Sequence, residues 1–295
     1  MRSLLFVPAD SERKLEKALR SGADILILDL EDSVALSQKE EARRIAVHFL
    51  RKEAIPARVY VRVNALATGL TDEDLAAVMP ARPAGIMLPK AEGGQDVALL
   101  SAKLRVHEAE HGIKDGATSI LPIVTETAKA VFAAHTIAGA SNRLCGLTWG
   151  AEDLSAEIGA RVTRDDAGGY TGVFALARSI TLLAAASAGV PAIDTVFPAF
   201  RDMEGFARDC RDAERDGFTG KMAIHPSQVP IINAAFTPSE EAIDHSRRVV
   251  AAFADAGARG VASVDGEMVD RPHLIRAERI LERARLAGLD QGNGR

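Results

Sequence analysis

Aromatic side chains make up only 4% of this 295-residue chain. Its core must therefore be built from Ala, Val, Leu and Ile, which suits a packed α/β fold better than a sandwich. Cysteine is almost missing: Cys145 and Cys210 are the whole supply. They could pair, but no disulfide framework exists, and a reducing cytoplasm is the simpler expectation. Long basic runs are absent too. The net charge is −5 and the isoelectric point about 5.9, so nucleic acid is not an expected partner. No apolar run approaches the roughly 18 residues that a membrane span needs. Met1-Arg2 before Leu4-Leu5-Phe6-Val7 faintly resembles a signal peptide. The apolar stretch is too short, and Asp10-Ser11-Glu12-Arg13-Lys14 follows at once, so it reads as a first strand. We find no Gly-x-Gly-x-x-Gly, Walker loop, zinc spacing or Gly-x-Ser-x-Gly.

What is present is an alternation. Apolar residues reach 47% and mean hydropathy is +0.02, as for a water-soluble protein with a real core. Short apolar runs at Ser3–Ala9, Ile25–Glu31, Arg58–Asn64, Gly85–Lys90, Ser119–Thr125, Arg143–Gly150, Ala192–Phe197 and Gly220–His225 read as strands. Most are separated by segments of helical periodicity. Asp10 can cap a helix with Leu15, Ala18 and Leu19 on one face, Thr71 starts another, and Gly169–Ala188 ends at Gly189-Val190-Pro191. Near-continuous apolar strands alternating with helices predict a parallel sheet. Eight units predict a closed (β/α)8 TIM barrel over residues 1–235. A doubly wound open sheet is the alternative. Residues 236–295 form a C-terminal helical extension. Thr237-Pro238-Ser239-Glu240 reads as a capping-box start, with a helix to Ala256 that stops at Gly257. A turn at Val264–Asp270, a helix over Pro272–Ala287 and a frayed tail at Asp290–Arg295 follow. The extension is too small to fold alone, so it must pack on the barrel or on a neighbouring subunit.

Three of the apolar runs end in acids: Glu31-Asp32, Glu126, and Glu152-Asp153. A buried strand has no use for a carboxylate, whereas strand C-termini are where α/β enzymes collect catalytic groups. Glu126 and Asp153 follow strands five and six. Adjacent strands lie about 5 Å apart, and two carboxylates that close favour a cation between them, such as Mg²⁺. The alternative is that both cap the helices that follow. Glu31 and Asp32 could ligate a metal, hold its waters, or serve a helix start. Arg62, inside Val61-Arg62-Val63-Asn64, needs an acidic partner or an anionic substrate. Lys90 could form a Schiff base or neutralise a carboxylate such as Glu92 or Glu126. His225 could be an acid, a base or a pocket wall. Asp270 reads as an ordinary turn acid.

In order along the chain, the segments Arg2–Ala9, Leu28–Val34, Arg62–Asn64, Leu88–Lys90, Glu126–Ala128, Gly150–Leu154, Gly220–Gln228 and Gly266–His273 resemble the citrate lyase β-subunit-like family. That family belongs to the HpcH/HpaI aldolase superfamily and includes malyl-CoA and citramalyl-CoA lyases. The resemblance implies a TIM barrel with a helical extension that reaches over a neighbouring subunit, commonly in a homotrimer. It implies Mg²⁺ on Glu126 and Asp153, with Glu31 and Asp32 behind them. It implies substrate contacts from Arg62, Gly150 and Ala151, and proton transfer by Asp270. The implied reaction is retro-Claisen cleavage of a 3-hydroxy-acyl-CoA thioester to acetyl-CoA, or a homologue, and a 2-oxo acid. A citrate lyase β chain acting on an acyl-carrier-protein thioester, and a metal-dependent pyruvate aldolase, are the other implied activities.

Overall fold

The computed structural model describes residues 1–256 and 260–289; the expected stop at Gly257 and the tail Asp290–Arg295 lie outside the described residues. Two compact units emerge, Met1–Asn233 and Ala234–Arg295.

In the first unit the chain runs β1 (Ser3–Pro8), α1 (Glu12–Ala18), β2 (Ile25–Asp29), α2 (Lys39–Leu50), β3 (Arg58–Arg62), α3 (Thr71–Val78), β4 (Gly85–Leu88), α4 (Gly94–Glu110), β5 (Ser119–Pro122) and α5 (Ala128–Ala133). It continues through β6 (Leu147–Thr148), α6 (Ala151–Ile158), α7 (Gly172–Ala188), β7 (Ala192–Asp194), α8 (Met203–Asp216) and β8 (Gly220–Ala223) to α9 (Val229–Phe236), whose last three residues belong to the second unit. The strands pair in the order β5-β4-β3-β2-β1-β8-β7-β6. Every pair within this sheet is parallel. Parallel bridges Ile120↔Leu144 and Ile123↔Thr148 join β5 to the β6 segment and complete the ring. Val124 N–H donates to the Thr148 carbonyl at 2.9 Å across the same seam. A sequential, closed order is a barrel and excludes the doubly wound alternative. All eight expected strands are present. The sixth is the shortest, because residues 143–146 touch β5 through isolated bonds rather than a continuous ladder.

The barrel is filled by every second residue of its strands. Leu4, Ile25, Ile27, Tyr60, Met87, Leu121, Ile193 and Met222 form one buried cluster, while Leu26 and Leu28, also fully buried, lie on the other face of the sheet. Burial on both faces explains the unbroken Ile25-Leu26-Ile27-Leu28 run. The Tyr60 ring fits because residue 85 is glycine: a Cβ there would meet the ring at 2.7 Å.

Helix starts depart from expectation in two places here. α1 has Ser11, not Asp10, as its N-cap. α7 begins at Gly172 rather than Gly169, because Gly168 and Gly169 close a turn through Asp165. The helix does stop at Gly189, in the left-handed region at φ 68.

In the second unit, α10 (Glu240–Ala256) is followed by β9 (Val261–Val264), β10 (Glu267–Asp270) and α11 (Arg271–Leu286). The expected capping box at Thr237 is displaced: the Ser239 hydroxyl accepts from Ala242 N–H at 3.2 Å, and the helix opens at Glu240. The Val264–Asp270 turn is the tip and second strand of an antiparallel hairpin. Asp265 (φ 53) and Gly266 (φ 84) supply the two left-handed residues that a tight hairpin requires. Val249, Val264, Val269 and Ala277 form this unit's own core.

Candidate active site at the strand ends

The C-terminal ends of the barrel strands open into a cleft of about 420 Å³. Asp29, Asp32, Arg62, Glu126, Gly150, Ala151 and Asp153 line it, together with Phe6, Thr148 and Trp149.

Arg62 and Asp29 are the last residues of neighbouring strands and stand directly opposite in the ladder. Their side chains meet in a fork, with Nε to Oδ1 and Nη2 to Oδ2 both at 2.7 Å. The third Arg62 nitrogen, Nη1, lies 2.8 Å from Glu31 Oε2. That contact is an ion pair without hydrogen-bond alignment, since Glu31 Oε2 has no hydrogen-bond partner. Burial opposes the Arg62 charge, but Asp29 and Glu31 outweigh it and raise its pKa. Asp29, also buried, is held below the usual carboxylate range by Arg62. The turn after β3 is fixed by Asp74, which accepts from Asn64 N–H and Nδ2 at 2.7 Å each.

Glu126 is buried. Burial, and then the nearby Asp153 and Glu31 carboxylates, push it up to about 8 against the N–H of Lys90 that donates to it. It caps no helix: Thr127 does that for α5, accepting from Ala130 N–H at 3.1 Å. Asp153 sits in the first turn of α6 and is not its cap either, the cap position being Gly150. Neither acid is therefore a cap, although Asp153 keeps the dipole-favoured place in the first turn of α6. Gly150 has a role of its own, because a Cβ there would stand 2.7 Å from Glu126 Cγ.

Lys90 binds the rim together. Its backbone adopts the left-handed φ of 50, which turns its N–H to Glu126 and its side chain across the acids. The ammonium contacts Glu31, Asp32 at 3.0 Å and Asp153 at 3.1 Å. Desolvation opposes its charge, and Glu31 and Asp32 outweigh it, raising the pKa. Lys90 thus neutralises carboxylates: its charge acts on Glu126, one of the two expected, whereas Glu92 pairs instead with Lys129 at 2.6 Å. An ammonium tied to three carboxylates cannot be a free amine nucleophile.

Sequence reasoning had passed over Asp29, hidden inside an apolar strand, and Trp149. The indole Nε1 donates to buried Asp194 at 2.7 Å, and Asp194 in turn meets Lys221 at 2.5 Å. This charged pair lies outside the barrel lumen and fixes one wall of the cleft. His225 is exposed, takes its hydrogen bond from Ser227 and stacks on Phe200 at 5.2 Å; it is not among the cleft-lining residues. Asp270, in the second unit, is 46% exposed and N-terminal to α11. His273 Nδ1 lies 2.5 Å from it and holds the carboxyl below its ordinary pKa. The stated absence of zinc spacing needs correction: His107-Glu108-Ala109-Glu110-His111 has it, and His107, Glu110 and His111 converge in space.

A barrel whose strand ends gather carboxylates, an arginine fork and a lysine is the layout of a hard-cation or anion-handling enzyme. Residues 2–226 match the HpcH/HpaI aldolase/citrate lyase family, and the chain belongs to it. It is 37% identical over 292 residues to the citrate lyase subunit beta of Escherichia coli K12, covering 98% of this chain and 94% of that protein. To the (3S)-malyl-CoA thioesterase of Cereibacter sphaeroides KD131 it is 36% identical over 288 residues, with 96% and 94% covered. The crystal structure of protein CitE from Mycobacterium tuberculosis, in complex with magnesium, acetoacetate and coenzyme A, superposes with a TM-score of 0.77 at 37% identity. That match covers 96% of this chain and 97% of that one.

Among the described residues, no helix is long and apolar enough to cross a membrane. Both cysteines are free thiols.

Proposed function

We propose that the chain is a Mg²⁺-dependent carbon–carbon lyase of the citramalyl-CoA or malyl-CoA type. Its substrate would be a 3-hydroxy-acyl-CoA thioester, and its products acetyl-CoA, or a homologue, and a 2-oxo acid. The observation that carries this is the meeting of Glu126, Asp153 and Arg62 in one cleft. The first two offer oxygen donors and the third a buried, partnered guanidinium. The magnesium, acetoacetate and coenzyme A bound by the Mycobacterium relative support the substrate class.

The donor set fits the ion. Glu126 is a buried carboxylate whose neighbours penalise its charge, and Gly150 keeps open the space it occupies. Glu126 and Asp153 would hold Mg²⁺, with Glu31 and Asp32 behind them. A bound Mg²⁺ supplies Lewis-acid stabilisation to the oxygens of the oxo acid.

The chain's own groups do the rest. Gly150 and Ala151 would hold the oxo-acid carboxylate at the start of α6. Arg62, kept in plane by Asp29, would stabilise negative charge on the thioester oxygen as the C–C bond breaks. In cleavage the 3-hydroxyl loses its proton, the bond electrons pass to the thioester α-carbon, and that carbon takes a proton to become the methyl of acetyl-CoA. Asp270 of a neighbouring copy, in a homotrimer, is the proposed carrier of that proton. It would first have to leave His273 and lose its water. A cytoplasmic setting belongs to the same reading.

A second reading rests on the Escherichia coli relative, which matches over nearly the whole chain. A β chain of that kind would act on a carrier-protein thioester. Incubating the pure protein with malyl-CoA and citramalyl-CoA, with Mg²⁺ or with chelator, separates the readings. Acetyl-CoA and a 2-oxo acid formed only with Mg²⁺, and lost in Glu126→Gln, are the expected result. Free CoA with an intact hydroxy acid would instead mean thioester hydrolysis. Inertness relieved only by a carrier-protein thioester would overturn the free-standing lyase.

A further inference from the structure

α4 carries a second group of metal-ligating side chains, of a different chemical kind from the rim acids. His107, Glu110 and His111 are spaced i, i+3 and i+4 on one helical face. One donor atom from each lies within 4.8 Å of the other two. The imidazoles of His107 and His111 are stacked nearly parallel, with centroids 6.3 Å apart and planes within 6°. Glu110 Oε2 lies 3.4 Å from His107 Nδ1. That nitrogen is shielded from solvent and has no hydrogen-bond partner, which is an uncommon state for a buried polar atom. A cation at the centre of the triad would satisfy it.

The helix itself adds to the case. His107 and Glu110 lie in the last turn and His111 is the C-cap, with Gly112 following at φ 58, so the triad sits at the end where the macrodipole is negative and favours cations. Zinc at about 2.0–2.1 Å from each donor requires donors about 3.4 Å apart. The parallel ring planes share no point for one ion, so binding requires half-buried His111 and exposed Glu110 to turn towards His107.

We infer that His107, Glu110 and His111 form a binding site for a divalent transition ion such as Zn²⁺ or Ni²⁺, separate from the strand-end cleft. Two imidazoles and one carboxylate suit such ions and not Mg²⁺. The three protein donors leave a fourth position to water. The site is a binding site and not a hydrolytic one. Glu108, which holds the position of a metalloprotease base in this spacing, is turned away and fully engaged. It forms a double ion pair with Arg143 at 2.7 and 2.6 Å and accepts from Gly116 and Thr118 N–H at 2.9 Å each.

The test uses the full chain without an affinity tag, stripped with chelator and then saturated with MgCl₂ to occupy oxygen sites. Titration with ZnCl₂ by calorimetry, and with CoCl₂ by visible absorption, should then give one further ion per chain, with a nitrogen-ligand cobalt spectrum. Glu126→Gln should retain that ion. His107→Ala and His111→Ala should each weaken it by at least about tenfold. Glu110→Gln, an exposed and fold-neutral change, should weaken it less and shift the cobalt band. Absence of binding above the Mg²⁺ background, or wild-type affinity in both histidine variants with unchanged thermal melts, would overturn the assignment.

Discussion

Gly150 and Glu126 compete for one space: a side chain on the first would stand 2.7 Å from Cγ of the second. Gly150 has an ordinary φ of −125, so its need for glycine is steric and not conformational. Gly150→Ala should therefore leave the backbone alone and displace the Glu126 carboxylate. We expect Mg²⁺ affinity to fall about 10–100-fold, with far-UV circular dichroism unchanged. Calorimetric titration checks the first and spectroscopy the second.

Lys90→Met removes the cation shared by Glu31, Asp32 and Asp153. Without metal, buried Glu31, left with Arg62 as its ion-pair partner, should cost about 1–3 kcal/mol of stability. Saturating Mg²⁺ should recover part of this, because a divalent ion on the same rim offsets the same charges. Thermal melts with and without Mg²⁺ read the difference; equal losses in both would contradict the shared-cation role.

The Glu108–Arg143 pair predicts an acid transition. Burial alone would raise Glu108, but Arg143 and the Thr118 and Gly116 N–H groups outweigh it and bring the carboxyl from 4.5 to about 2. A depressed folded-state pKa adds stability that is complete above the unfolded value of 4.5 and is lost as pH falls towards about 2. Glu108→Gln should flatten that part of the stability–pH curve. At neutral pH it should cost about 3 kcal/mol, the lower end for a broken buried pair, since Asp115 still meets Arg143 at 2.6 Å. Urea melts across the range measure both effects.

Trp149 is the single tryptophan and lines the cleft. Its emission should change when Mg²⁺ and a 2-oxo acid enter, and Glu126→Gln should abolish the change. Asp194→Asn should alter the starting spectrum, because the indole would lose its charged acceptor. A flat titration of the wild-type protein would argue against ligand entry at this wall.

The barrel was legible because burial on both faces of a parallel strand leaves an unbroken apolar run, as in Ile25–Leu28. Glu126, Asp153 and Arg62 were legible because charge interrupts such runs at their C-terminal ends. Asp29 was not: it continues the strand, and only its ladder partner Arg62 gives the carboxylate a purpose. The reach of Lys90 was misjudged because it depends on one left-handed backbone angle, which sequence does not display for a non-glycine residue. The His107–His111 spacing is legible in the sequence as H-E-x-x-H; what only the structure supplies is that Glu108 is spent on Arg143 and Glu110 turns to the histidines. For Asp270, the sequence offered only a turn next to a helix, and the hairpin around it came from the Asp265-Gly266 pair.

The bridging ammonium of Lys90 also bears on handling the protein. With one positive charge held against Glu31, Asp32 and Asp153, the metal-free rim is partly neutralised, while Glu126 still meets the repulsion of the Asp153 and Glu31 carboxylates. A preparation stripped with chelator is therefore expected to stay folded, with Glu126 as the one acid left under strain.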